Sequence, residues 1–216
     1  MGRGQPDSRA VDRRDFDRRC DLGGIVSETE INPIDQGPLP GVVAGTWVID
    51  PAHSSVGFSV RHLMSRVRGR FTDFAGEITI ADTPEQSSAT VSIELASVHT
   101  GNEIRDNQLR SNDFFDVERT PKMTFSSTGV RSVGGSWVLT GDLTIRDVTK
   151  GVEIELEFLG VDPTGLQGEQ RVGFDGRTSI RRSDFGVSFG LPIEGGKIVI
   201  SDHVDIHLEI EAALSA

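Results

Sequence analysis

The 216-residue chain has no tyrosine, two tryptophans and one cysteine, Cys20. A single cysteine forbids an intramolecular disulfide framework and a four-cysteine zinc site. No uncharged apolar run approaches the roughly 18 residues that span a bilayer as a helix. Basic residues are in deficit: 22 Lys and Arg face 33 Asp and Glu, a formal net charge of -11. Such a chain is poorly suited to non-specific nucleic-acid binding, and an anionic membrane repels most of its surface. No Walker A loop is present, since Leu191 stands where its first glycine belongs and Ile198 follows Gly196-Lys197. What is present is glycine, 25 residues of it, and 36% hydrophobic residues, enough for a packed core with many turns.

Residues 1–43 differ from the rest. The first 40 carry six arginines against eight carboxylates, with sparse apolar residues in no period. They lead into the Pro/Gly stretch from Asn32 to Gly41. This composition predicts a disordered or loosely attached arm, linked to a domain over 44–216. Arg13-Arg14 and Arg18-Arg19 are followed by a stretch too short and too acidic for an export signal. Cytoplasmic residence is the expectation, in keeping with one reduced cysteine.

From about residue 44 apolar residues recur with period two, the mark of half-buried strands. Val56, Phe58 and Val60 alternate with polar or small residues, as do Val91, Ile93 and Leu95. Val152, Ile154, Leu156 and Phe158 alternate with three glutamates, and Val204, Ile206, Leu208 and Ile210 with Asp205, His207 and Glu209. Weaker strands are expected near 46–50, 69–80, 123–133, 136–146, 171–180 and 196–201. Thr100 and Glu103 have capping-box spacing, which predicts one helix near 102–113 with Ile104, Leu109 and Phe114 on its apolar side. Strands with one apolar face need closure or a second sheet, and hairpin-length connections favour a closed meander.

Several patterns suggest chemistry and then fail on context. Gly186-Val187-Ser188-Phe189-Gly190 fits a nucleophile elbow, but Pro192 and two glycines leave no helix behind it. His203 and His207 on one strand face would lie about 13 Å apart at ~3.3 Å per residue, too far to share a metal. No metal or other cofactor is expected. His62, His99 and Arg182 differ, because each continues an apolar parity to the end of its strand. A polar or basic end on an apolar cavity suits an amphiphile with an anionic head.

Asp50-Pro51-Ala52-His53-Ser54 comes first among the longer motifs. Thr100-Gly101-Asn102-Glu103-Ile104-Arg105-Asp106 follows, with Asp113-Phe114-Phe115-Asp116. Then come Leu143-Thr144-Ile145 with Val148-Thr149-Lys150, and finally Arg182-Ser183-Asp184-Phe185-Gly186. In this order and spacing the chain resembles the YceI-like family over about residues 45–211. The resemblance implies a lipocalin-like antiparallel barrel that binds long apolar chains, notably polyisoprenoids. It also implies links with isoprenoid quinones and stress response, and no established enzymatic activity. His53, Ser54, Arg105, Asp106, Arg182 and Asp184 match family motifs and read mostly as scaffold, while Phe114, Phe115 and Phe185 in those motifs read as cavity or plug residues. Asp147 stands where the family commonly has glycine, and the N-terminal arm has no counterpart.

The combined expectation is an all-β, closed antiparallel lipocalin-like β-barrel of about eight or more strands with one short helix. It binds a long-chain isoprenoid or similar amphiphilic lipid for transport or sequestration, without covalent chemistry. Phe58, Val60, Val91, Ile93, Leu95, Phe114, Phe115, Phe125, Ile154, Leu156, Phe158 and Phe174 are the expected lining. His62, His99 and Arg182 are the head-group candidates. Neither nucleic acid nor stable membrane insertion is expected, and a homodimer is a further expectation. Two alternatives stand beside this one. The first is a hydrolase or isomerase on an apolar substrate using His62, His99 and Asp184. The second is a ligand-sensing module whose arm engages a protein.

Overall fold

A computed structural model describes residues 39–134, 136–165, 168–190, 192–193 and 197–215. Most of the expected arm, and Cys20, lie outside the described residues. Leu39 and Val42, assigned to the arm from sequence, pack into the barrel core.

The strands follow the period-two segments. They are β1 (Gly45–Ile49), β2 (Ser55–His62), β3 (Ser65–Phe71), β4 (Phe74–Ile80), β5 (Ser88–Glu94) and β6 (Val98–His99). After α1 (Glu103–Arg110), the one α-helix among the described residues, come β7 (Lys122–Val133), β8 (Ser136–Ile145), β9 (Val148–Asp162) and β10 (Arg171–Arg181). A small hairpin of β11 (Pro192–Ile193) and β12 (Lys197–Ile198) precedes the long β13 (Ile200–Leu214).

All pairings are antiparallel, and β13 closes the barrel. One edge of β13 pairs with β10 from His203 to Ala213. The other edge is shared, with Ala212–Leu214 on β1 and Ile200–Glu209 on β2. β1 and β2 therefore form one bent path, broken at 50–54. β3 with β4 and β5 with β6 form the next two paths, each bent at the same level. With β7, β8, β9, β10 and β13 this makes eight paths in sequence order, a closed up-and-down meander. Closure leaves the apolar parity of every strand facing one interior.

Two glycines admit rings to that interior. A Cβ on Gly69 would sit 2.4 Å from the Phe58 ring, and one on Gly141 would sit 2.4 Å from the Phe125 ring. Each phenylalanine lies over bare backbone that any other residue would block.

The helix differs in detail from its expectation. Asn102, not Thr100, is the N-cap, its side chain accepting from the Arg105 N–H. Thr100 instead donates its hydroxyl and backbone N–H to Asp106, while Arg105 donates to the Thr100 hydroxyl and carbonyl. Arg105 and Asp106 are thus scaffold that grips one threonine from two sides. Ile104 is 85% exposed and is not on a buried face. Leu109 and Phe114 do pack inward.

Candidate functional site

The barrel interior divides into two halves. One end is filled by aromatic side chains. Phe58 contacts Phe71 at 5.7 Å between centroids, and Phe71 contacts Phe115 at 5.9 Å. Phe114 from the segment after α1 meets Phe189 at 5.1 Å. Phe185, in the 3-10 turn Arg182–Phe185, is buried in the same hydrophobic core. These rings form a plug at the end where α1 and that turn lie.

The other half is hollow. A cavity of about 180 Å³ runs from the middle of the barrel to the β4–β5 connection, where Leu39, Ala81, Pro84 and Ser87 border it. Its wall is made by inward residues of β1, β2, β4, β5, β7, β8, β9, β10 and β13, among them Ile78, Leu139, Leu143, Val152 and Leu208. Among the described residues no charged residue, histidine or cysteine is on that wall; its polar members are Ser87, Ser88, Thr178 and the indole of Trp137. An apolar cavity of about 150 Å³ stays dry and takes up benzene. This one is larger, and its wall is predominantly apolar.

The expected lining residues separate into two groups. Val91, Ile93, Phe125, Ile154, Leu156 and Phe174 are on the cavity wall. Phe58, Val60, Leu95, Phe114, Phe115 and Phe158 are not. Phe58, Phe114 and Phe115 belong to the plug, Leu95 is fully buried core, and Phe158 stacks against Phe174 at 5.7 Å. Val60 is half-buried opposite Val67, below the cavity. Parity fixes the face of the sheet but not the height along the barrel, and height separates wall from plug.

None of the three head-group candidates, His62, His99 and Arg182, lines the cavity. Arg182 lies beyond the end of β10, where the 3-10 turn redirects it. Its guanidinium donates to the carbonyls of Val187, Phe189, Ile200 and Ser201. Burial holds its pKa below the usual arginine value, against the pull of Asp202. It is a staple for the segment that carries Phe189 into the plug. His99 is mostly exposed, with its Nδ1 3.5 Å from the Asp106 carboxylate. His62 ends β2 at the hairpin turn, half-buried.

The Asp50–Ser54 motif builds the corner between β1 and β2. Asp50 accepts from His53 Nδ1 at 2.8 Å, from Arg171 at 2.8 Å and from the Ala52 N–H at 2.9 Å. The His53 and Arg171 bonds, then that of Ala52, hold the Asp50 carboxyl well below the usual carboxylate range, against the opposing effect of burial. Ser54 accepts from the Glu211 N–H and donates to the Glu211 carbonyl, pinning the corner to β13. Asp50, His53 and Glu211 are spaced as a cation site could be. The Arg171 guanidinium bridges Asp50, Glu169 and Glu211 there. It is the cation that this cluster already holds.

Sequence reasoning missed Leu39, Trp137, Leu139, Leu143 and the β13 residues Ile206, Leu208 and Ile210 as cavity wall. For β13 the signal was available in its alternation. Among the described residues His62, His99 and Asp184 do not form a cluster of ligand or acid–base groups.

An eight-stranded meander with an apolar, uncharged cavity at one end defines a lipocalin-like barrel. The YceI-like domain model matches residues 47–212, and the chain belongs to that family. A UPF0312 protein of Vibrio campbellii is 38% identical over 178 residues, covering 79% of this chain and 88% of the relative. BcnA of Burkholderia cenocepacia has a similar crystal structure, with TM-score 0.67 and 25% identity over 76% of this chain and 98% of that one. A polyisoprenoid-binding domain from Saccharophagus degradans, implicated in plant cell wall breakdown, shares the fold with TM-score 0.58 and 18% identity, covering 80% of this chain and 100% of that domain.

Proposed function

We propose that the protein binds the hydrocarbon chain of an isoprenoid or similar amphiphilic lipid, without covalent chemistry, and carries or sequesters it. The observation that supports this most is the cavity wall: predominantly apolar, with no acid, basic side chain or thiol on it among the described residues. A hydrolase or isomerase needs such groups at the substrate. The relationship to a polyisoprenoid-binding domain agrees in ligand class.

The volume sets the form of binding. About 180 Å³ holds a segment of chain a little larger than benzene, not a long tail. The leading end enters, and the rest leaves past Leu39 and Pro84, with the polar head in water. Each buried CH2 contributes about 0.8 kcal/mol. A bilayer offers the same chain a similar environment, so the net preference is small and exchange is favoured over storage. A fluorescent prenyl alcohol should therefore enter the protein from vesicles and return to them. No transfer at any protein-to-vesicle ratio would refute the reading.

A further inference from the structure

Directly paired residues of neighbouring strands share a face of the sheet. Arg181 pairs with His203, and Arg177 with His207. His207 pairs with Gly57, Gly57 with Arg70, Ser59 with Arg68, and Arg61 with Arg66. The alternate positions, including Phe58, Phe71 and Leu208, face the interior. These six arginines therefore project from one outer face spanning β10, β13, β2 and β3, and every one of them is exposed. The same face carries Asp175, Asp205, Glu209 and Glu211, the last of these paired with Arg171. Asp205 pairs with Arg66 and Asp175 with Arg177. Arg61, Arg68, Arg70 and Arg181 have no ion-pair partner among the described residues.

This concentration runs against a chain of net charge -11. On adjacent β9 the outward side chains are Glu153, Glu155 and Glu157. The charge is sided, and a sided charge orients the molecule on a charged surface.

Arginines also protect an open strand edge, and β3 has one: it meets β6 only at Arg70 and Phe71. Edge protection does not account for Arg177 and Arg181, on a strand remote from that edge. Nor does it account for the hairpin tip between β2 and β3. There Leu63 and Met64 fill the two turn positions usually given to Asn and Gly. Met64 is 96% exposed and Leu63 49%, with Arg61 and Arg66 paired just behind them. An apolar pair flanked by arginines matches a bilayer, whose phosphates meet the guanidinium groups while the tip enters the acyl boundary. Nucleic acid would engage the arginines and leave the tip without a partner.

We propose that this outer face, with the Leu63–Met64 tip, docks on an anionic lipid bilayer. The docking is peripheral and does not depend on what the cavity holds.

Flotation of the full chain with phosphatidylcholine vesicles, with and without phosphatidylglycerol, tests it. The expected result is binding to the anionic vesicles only, lost at high salt. Arg68→Glu with Arg70→Glu should weaken binding at least about fivefold per arginine, and Met64→Asp should weaken it separately. Both variants should keep the wild-type melting temperature and the uptake of prenyl alcohol from detergent. That readout keeps a failure of docking distinct from a failure of lipid carriage. Binding that persists unchanged in the double-arginine variant would place the attraction elsewhere in the chain. Retention on an acidic polypeptide without binding to anionic vesicles would assign the face to an acidic protein. Either result overturns the proposal.

Discussion

The Asp50 carboxylate and the Arg171 guanidinium meet at 2.8 Å although 121 residues separate them. The contact joins the β1–β2 corner to the start of β10, and Arg171 also reaches Glu211 on β13. Removing the arginine leaves Asp50, Glu169 and Glu211 facing one another. Arg171→Ala should lower stability, measured as a lower urea midpoint.

The same contact sets a pH dependence. The Asp50 pKa is lower in the folded protein than its unfolded value near 3.9. Its contribution is therefore complete above that unfolded value and is lost as pH falls toward the folded one. Melting temperature should drop below about pH 4, and Asp50→Asn should flatten that part of the profile while lowering stability at neutral pH. An unchanged slope in the variant would place the acid sensitivity in other carboxylates.

Gly69→Ala puts a Cβ 2.4 Å from the Phe58 ring and 2.8 Å from Thr100. Phe58 is the first ring of the plug, in contact with Phe71. Overpacking of this kind costs about 1–3 kcal/mol. The variant should melt earlier, and limited proteolysis should cut faster between 111 and 121, where Phe114 and Phe115 lie.

Ile154 is on the cavity wall and only 6% exposed. Ile154→Phe fills space that a chain would occupy, at a cost of about 1–3 kcal/mol in stability. Prenyl alcohol affinity, followed by fluorescence titration, should fall at least tenfold. The same change at Val60, below the cavity, should leave affinity near wild type.

Arg182→Leu removes the donor to four carbonyls and should cost about 2–4 kcal/mol. Because Arg182 does not face the cavity, the ratio of prenyl phosphate to prenyl alcohol affinity should not change. A selective loss of the phosphate would make it a head-group residue after all.

The strands were legible because period two is a local signal, and a closed meander of eight paths follows from short connections. Height along the barrel was not legible. Phe58 and Phe125 share the same alternation, yet one plugs the end and the other lines the cavity. Arg182 lies one residue past β10, where a 3-10 turn changes its direction, so strand parity does not place its side chain. The Asp50–Arg171–Glu211 corner was invisible for another reason: its members come from three strands far apart in the chain, and only closure at β13 brings them together. Leu39 sat in a Pro/Gly stretch whose composition reads as linker, and its single apolar side chain carries no period.

Native mass spectrometry of the purified full chain, followed by organic extraction, bears most directly on whether the cavity holds a lipid chain. The expected result is a stoichiometric adduct that extracts as a prenyl or similar long-chain lipid, and that is depleted in Ile154→Phe. A clean apo mass, with no adduct after prenyl lipids are added, would contradict lipid carriage and leave the cavity as a packing defect of the barrel.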